Sequence, residues 1–384
     1  MHIAYVTDQR YPGAGTDTTQ IVTMCSAFGV AGAKVTLYHL ADDPVHCATA
    51  AQLAAHYEVE PTFETAAVRC RPVLVRGLEK LTVAHDAAQR IARSSADLVY
   101  SRNLPSVMAG MWRARRPTFY ETYRPWPAQS RHKAMLFRAL RPAEALRGLI
   151  LHSQLAADSY LGIGYEADRV LVALNGYDPT VLGEPMTCGE ARQRLGLPDR
   201  FTVTYGGDVM PSKGLGIVLD IAERMPDVEF LLVGSKGRGP IERRAEKMTN
   251  VRVFGWRKMS EVSPLLYAAD VLVIPPTATP LQSAGHTVLP IKSFHYLATG
   301  RPVLAGDTPD IREVIEHRRN GVIVPPGDVA ASVEALRDLM RSEENRQRLG
   351  RNALEDGRAR TWAARADRIL GYLESRLGVG PAAD

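Results

Sequence analysis

Three glycine-bearing segments hold the residue types that could grip an anion. The first, Gly13-Ala14-Gly15-Thr16-Asp17-Thr18, follows a short apolar run over 3–7 and leads into a helical pattern from about Ile21 to Gly32. Glycines leave backbone N–H groups open, and a helix start behind them adds partial positive charge, which suits phosphate or sugar hydroxyls. The same residues also make an ordinary strand-to-helix turn with Asp17 or Thr18 as cap. The second segment is Gly206-Gly207-Asp208-Val209-Met210-Pro211-Ser212-Lys213-Gly214, again between an apolar run and a helix-length stretch. A lysine just ahead of a helix adds a point charge that favours a diphosphate, unless it simply faces solvent. The third runs from Gly285 to Gly300 and reads as loop, helix and glycine stop, with Thr287 as cap and Pro290 in the first turn. Lys292 and His295 are three apart and share a helix face, so Lys292 and the helix start could form a second anion site. The plainer alternative puts Lys292 in solvent and His295 in the core.

Other site chemistries lack their patterns. There is no His-Glu-x-x-His and no clustered Cys/His spacing, so no metal site is expected. Gly214-Leu215-Gly216 lacks the third glycine of a dinucleotide fingerprint, where Leu219 stands instead. Cys25, Cys47, Cys70 and Cys188 are scattered with no Cys-x-x-Cys pair, which fits a reducing cytoplasm rather than a disulfide framework.

The elements that must position these segments alternate regularly. Short apolar runs recur near 3–7, 35–40, 73–75, 98–101, 118–120, 149–152 and 170–174, then near 201–205, 229–233, 251–254, 271–274, 302–305 and 321–324. Uninterrupted apolar runs suit parallel strands buried on both faces, and their alternation with helix-length stretches predicts doubly wound α/β domains. The rhythm breaks in a turn-rich stretch over 175–200, which places domains at 1–180 and 181–360, with a last helix over 361–384. Ligands of open parallel sheets bind beyond the strand ends. That selects Arg102, after the run at 98–101, and Glu121, Tyr123 and Arg124, after the run at 118–120, for the acceptor side; the plainer alternative puts Glu121 in a salt bridge and Tyr123 in a wall.

Of 384 residues, 45% are hydrophobic, enough for sizeable cores. No apolar run reaches bilayer-spanning length, and the N-terminus lacks the basic region of a signal peptide, so a cytoplasmic protein is expected. The net charge of +5 is too weak to imply nucleic acid. It is also uneven. Between residues 113 and 147 there are nine cations (Arg113, Arg115, Arg116, Arg124, Arg131, Lys133, Arg138, Arg141 and Arg147) against Glu121 and Glu144, a local +7. Met135, Leu136 and Phe137 interleave with them. This reads either as a solvated basic face over a core stripe or as a peripheral contact with anionic lipid.

Taken in order, the segments resemble the GT-B glycosyltransferases, specifically the retaining family-four type that uses activated sugars. The matching motifs are the glycine loop over 13–20, the strand and serine turn over 149–153, Asn175-Gly176-Tyr177-Asp178, the stretch 207–214, Gly300-Arg301-Pro302-Val303-Leu304-Ala305 with a helix over 311–316, and Trp362. The resemblance implies two Rossmann-like domains facing across a cleft, with the C-terminal helix crossing back to the first. It implies a nucleotide-diphosphate sugar as co-substrate with no cofactor or metal, and transfer to a small-molecule, glycan or lipid-linked acceptor with retention.

Residue by residue, the resemblance makes Lys213 the cation on the donor diphosphate, with Lys292 as helper. It places Gly13, Gly15 and Gly207 beside the donor phosphates, and Gly234, Ser235, Trp256 and Arg257 around the base and ribose. The amides of Val288 and Leu289 fall near the distal phosphate. Asp17, Thr18, Arg102, Glu121, Tyr123 and Arg124 fall on the acceptor side. Asp208 stands where the family has arginine, with Lys292, Lys236 and Arg257 the nearest replacements for its charge. Thr287 and His295 stand where it has two glutamates, and Tyr123 lies where a histidine is common. These departures point to a changed donor, or alternatively to a catalytically silent protein that binds nucleotide, glycan or a partner enzyme.

Overall fold

The computed structural model describes residues 1–13, 15–41, 47–69, 79–279 and 289–378. The chain forms two compact units, Met1–Leu174 with Trp362–Asp384, and Asn175–Thr361. The first holds a seven-stranded parallel sheet: β1 (His2–Arg10), β2 (Lys34–Ala41), β3 (Glu64–Arg69), β4 (Leu98–Ser101), β5 (Thr118–Thr122), β6 (Leu146–Leu151) and β7 (Val170–Val172), in the order β3-β2-β1-β4-β5-β6-β7. The second holds a six-stranded parallel sheet: β8 (Thr202–Gly206), β9 (Glu229–Ser235), β10 (Val251–Gly255), β11 (Val271–Val273), β12 (Val303–Gly306) and β13 (Gly321–Val324), in the order β10-β9-β8-β11-β12-β13.

Both sheets wind outward in two directions from their first strand. The strand order therefore reverses between β1 and β4, where Val6 pairs with Ser101, and between β8 and β11, where Thr204 pairs with Leu272. Beyond the C-terminal ends of such neighbours the loops diverge and leave room for a ligand. The central strands are covered on both faces: Ile3, Ala4 and Tyr5 have no exposed surface, nor do Leu98, Val99 and Tyr100. That explains their uninterrupted apolar character.

Three elements differ from expectation. Strand β3 has the sequence Glu-Thr-Ala-Ala-Val-Arg, and its charged ends and short apolar centre give no buried-strand signal; it lies at the sheet edge, where one side needs no partner. The strand expected near 73–75 lies outside the described residues, as do Thr287 and Val288. The helix expected to start there runs instead over Lys292–Ala298 with Ile291 at its cap, so Leu289 precedes the helix rather than opening it. Pro290 at the helix entry fits this later start, because proline keeps the residue before it out of the helical region. The expected helix over 311–316 is a single 3-10 turn, Ile311–Glu313.

The final helix, Trp362–Leu377, belongs to the first unit and packs on the helix Thr16–Val30 and on β6. It buries Ala366, Ile369 and Leu373 on one stripe. None of the described helices is long and apolar enough to cross a membrane.

Candidate functional site

In the second unit the sequence-selected residues gather at the C-terminal ends of β8 and β9. Gly207 has φ +133° and Gly234 has φ +118°, both backbone conformations that a side chain disfavours. A Cβ on Gly234 would stand 2.4 Å from the Gly207 carbonyl oxygen, and one on Gly207 would stand 2.6 Å from Lys292 Nζ. The two loops therefore approach backbone to backbone, and the Lys292 amine fills the space over Gly207. Tyr296 Oη accepts the Gly206 N–H at 2.7 Å and ties the Lys292 helix to the same strand end.

Lys292 Nζ stands 3.6 Å from the centroid of the Tyr205 ring. Neither Lys292 nor Lys213 has a carboxylate or hydrogen-bond acceptor for its side chain among the described residues. Burial and the charge of Lys213 push the Lys292 amine well below its ordinary pKa, while Asp208 works the other way. Lys213 closes the 3-10 turn Pro211–Lys213, and Gly214 follows at φ +76°.

Asp208 does not stand free toward these cations. Its Oδ1 pairs with Lys236 Nζ at 2.7 Å, so the carboxylate in the family's arginine position carries its own counter-charge. Ser235 Oγ lies 2.6 Å from Glu242 Oε1 and 2.8 Å from the Gly237 carbonyl. Trp256 is 47% exposed just after β10, with its backbone N–H donating to the Ser235 carbonyl at 2.7 Å. Arg257 lies 3.9 Å from Glu261, one turn along the next helix. His295 meets the edge of the Tyr177 ring at 6.5 Å rather than Tyr205, and burial lowers its pKa to about 4. It is therefore a neutral group at neutral pH.

In the first unit a pocket of about 290 Å³ opens at the C-terminal ends of β1, β4 and β5. Asp17, Arg102, Glu121, Tyr123 and Arg124 all line it. Thr18 does not: its hydroxyl lies 2.8 Å from the Gly13 carbonyl and 2.7 Å from that of Gly15, inside the glycine loop. Gly15, rather than Asp17 or Thr18, is the helix cap. The Gly13 N–H donates to Tyr57 Oη at 2.7 Å, and Tyr57 donates back to the Gly13 carbonyl at 2.8 Å, so this amide is engaged within the unit.

Arg102 pairs with Asp17 at 3.0 Å and donates to Gln20 Oε1. The guanidinium carbons of Arg102 and Arg124 lie 5.9 and 5.0 Å from the Tyr123 ring centroid, and Arg124 lies 5.0 Å from the Trp126 ring. Glu121 forms part of the pocket wall and has no exposed surface. Its Oε1 accepts from Gln20 Nε2 at 2.7 Å, His152 Nε2 at 2.6 Å and Arg365 at 2.8 Å. Burial alone would raise its pKa, but Arg365, the His152 hydrogen bond and Arg102 outweigh it and hold the carboxyl well below the usual range. Burial lowers His152 to about 4, so the neutral ring donates its Nε2 proton to Glu121.

Gln20, His152 and Arg365 escaped sequence reasoning as parts of this network. His152 follows β6 as Arg102 follows β4, so the strand-end rule could have found it. Arg365 is 244 residues from Glu121 and carries no local signal.

Residues 200–342 match the family model described as "Glycosyl transferases group 1". Across 211 residues the chain is 29% identical to the sulfoquinovosyl transferase of Arabidopsis thaliana, covering 53% of this chain and 39% of that protein. Over 333 residues it is 25% identical to the phosphatidyl-myo-inositol mannosyltransferase of Mycobacterium leprae, covering 82% and 84%. The alignments thus span well under half of some curated relatives and most of others. Among solved structures, the sucrose-phosphate synthase of Thermosynechococcus elongatus superimposes with a TM-score of 0.78 at 20% identity, covering 99% of this chain and all of that one. HepE of Anabaena, in complex with UDP and glucose, gives 0.73 at 19%, covering 97% and 99%.

Proposed function

We propose that this chain, which has the GT-B fold and whose residues 200–342 match the group 1 glycosyl transferases, moves a sugar from a nucleotide-diphosphate sugar to an acceptor hydroxyl. The observation that carries the reading is the pair Lys213 and Lys292, two cations with no acidic partner among the described residues at the β8 strand end. The HepE structure holds UDP and glucose on the same fold, which supports a nucleotide donor.

When a sugar leaves a nucleoside diphosphate, negative charge builds on the departing oxygen. Lysines already in place stabilise that charge without reorganising at the moment of reaction. Gly207 leaves room for the Lys292 amine at the strand end, Gly234 for the Gly207 carbonyl, and exposed Trp256 offers a face on which a base can stack. In the retaining, metal-independent form of the reaction, the departing phosphate takes the acceptor proton. No residue of this chain is then needed as base, and Glu121, buried with three donors on Oε1 and the Tyr5 hydroxyl 3.4 Å from Oε2, is not available as one. The first-unit pocket, with Arg102 and Asp17 at its wall, binds the acceptor in this reading.

The Asp208–Lys236 pair favours one alternative, a silent protein that binds nucleotide without transfer, because the family's arginine charge is absent there. A panel of UDP-, GDP- and ADP-sugars tests the choice, with sugar release followed by mass spectrometry in the presence of glycan, polyol and lipid-linked acceptors. Turnover of at least one donor is the expected result. Nucleotide binding with no turnover on any pair supports the silent form.

The reading extends to the acceptor's setting. On the helix Arg131–Leu140, Ala134, Phe137 and Leu140 face the core, while Met135 is 63% exposed between exposed Arg131 and Arg138. Trp112 is 58% exposed beside Arg113 and Arg115. Apolar side chains projecting among cations suit the surface of an anionic bilayer. The protein is expected to sediment with phosphatidylglycerol vesicles at low salt, and to release as salt screens the charges. Equal sedimentation with neutral phosphatidylcholine vesicles, or none with either, removes the membrane from the account.

A further inference from the structure

The pocket of the first unit carries more positive charge than its own carboxylates balance. Three acids line it, and each already has a cation: Asp8 with Lys80 at 3.1 Å, Asp17 with Arg102 at 3.0 Å, and Glu121 with Arg365 at 2.8 Å. Arg124 lines the same pocket as a fourth cation. Its guanidinium carbon lies 5.0 Å from the centroid of the Tyr123 ring and 5.0 Å from that of Trp126. Arg102 reaches the Tyr123 ring as well, at 5.9 Å, and Lys133 Nζ stands 3.7 Å from the Trp126 centroid. Arg102, Tyr123, Arg124, Trp126 and Lys133 thus form one series in which cations and rings alternate.

The series is held in place. Trp126 Nε1 donates to Tyr120 Oη at 2.7 Å, the Arg124 N–H donates to Thr122 Oγ1 at 3.1 Å, and Tyr160 Oη donates to the Arg124 carbonyl at 3.1 Å. Gln20, whose Nε2 donates to Glu121, turns its carbonyl oxygen to Arg102. A ring takes the face of a guanidinium and leaves the in-plane N–H groups directed outward, the fork that fits a phosphate. Arg124 and Lys133 exceed the acids by a charge close to the roughly two negative charges of a phosphate monoester at neutral pH.

We propose that the acceptor carries a phosphate group, held by Arg124 and Arg102 on the Tyr123 side of this pocket, with Lys133 adding charge beside Trp126. This rests on the reading of the pocket as the acceptor site and names the chemistry it selects. A neutral acceptor leaves the surplus charge unbalanced, whereas a phosphate offsets it.

Ligand-observed NMR with inorganic phosphate, and with glucose and myo-inositol beside their monophosphates, tests the seat without a donor. Lys213→Ala serves as the parent, so that phosphate held by that lysine does not contribute. Inorganic phosphate and the monophosphates should bind, each neutral partner at least about tenfold more weakly. Arg124→Met in this parent should lower phosphate binding about ten- to a hundredfold, and Arg124→Lys, which keeps the charge without the fork, should lower it less. Circular dichroism melts confirm that the variants are folded. A parallel titration with short-chain phosphatidylinositol separates the sources: tighter binding than the soluble monophosphates assigns the phosphate to a lipid headgroup, and weaker binding to a soluble ester. Equal binding of neutral and phosphorylated partners overturns the phosphate seat, as does an absence of phosphate binding or binding that Arg124→Met leaves unchanged. With any donor that turns over, transfer should favour the phosphorylated partner, and transfer to neutral acceptors alone overturns the assignment. Phosphate binding that depends on Arg124, with no turnover of any donor, counts against the transfer reading and leaves the seat standing.

Discussion

Replacing Arg365 by methionine will destabilise the first unit by about 3 to 5 kcal/mol, seen as a lower urea midpoint at neutral pH. Arg365 lies on the final helix and reaches Glu121 at the wall of the first-unit pocket; both side chains are almost wholly inaccessible to water. Without the guanidinium, Glu121 keeps two neutral donors at Oε1, Gln20 and His152, for a charge buried at 0% exposure. The cost arises from that uncompensated charge rather than from the lost attraction, so the double variant Arg365→Met with Glu121→Gln should recover part of it.

The pH dependence has a definite sign. Glu121 is held well below its ordinary value in the folded chain, so its stabilisation is present above the unfolded carboxyl pKa and is lost as pH falls through the folded one. In Arg365→Met the folded pKa rises and acid unfolding should begin at higher pH. Equal urea midpoints for wild type and Arg365→Met would show that the ion pair contributes nothing.

The two halves of the chain differ in how much of this was legible. The parallel sheets could be read because strands buried on both faces must be apolar throughout, as Ile3-Ala4-Tyr5-Val6 and Leu98-Val99-Tyr100 are. Edge strand β3 could not, because a strand with one free edge tolerates Glu64 and Arg69 at its ends. In the first unit, the rule that ligands gather beyond strand ends selected Arg102, Glu121, Tyr123 and Arg124, all of which line one pocket. It did not show that Glu121 is already paired, since that depends on Arg365, brought 244 residues along the chain by the returning helix. In the second unit, glycine spacing and Lys213 marked the strand-end loops. The pairing of Asp208 with Lys236 and the seat of Lys292 on Tyr205 are contacts between segments distant in sequence. Spacing within a motif carries no trace of them.

The donor reading stands or falls on Lys213. Its ammonium group closes the turn after β8 with no acidic partner among the described residues. A charge-assisted hydrogen bond from such a group to a diphosphate is worth about 1.5 to 3 kcal/mol. Removing it should weaken binding roughly ten- to a hundredfold. Alanine at this position leaves no buried charge behind, because the lysine is partly exposed, so the fold should be unaffected. Calorimetric titration of wild type and Lys213→Ala with the preferred nucleoside diphosphate and with the free nucleoside is the most direct measurement. The account predicts that Lys213→Ala loses diphosphate affinity by that factor while nucleoside binding stays the same. Unchanged diphosphate affinity in Lys213→Ala would contradict it.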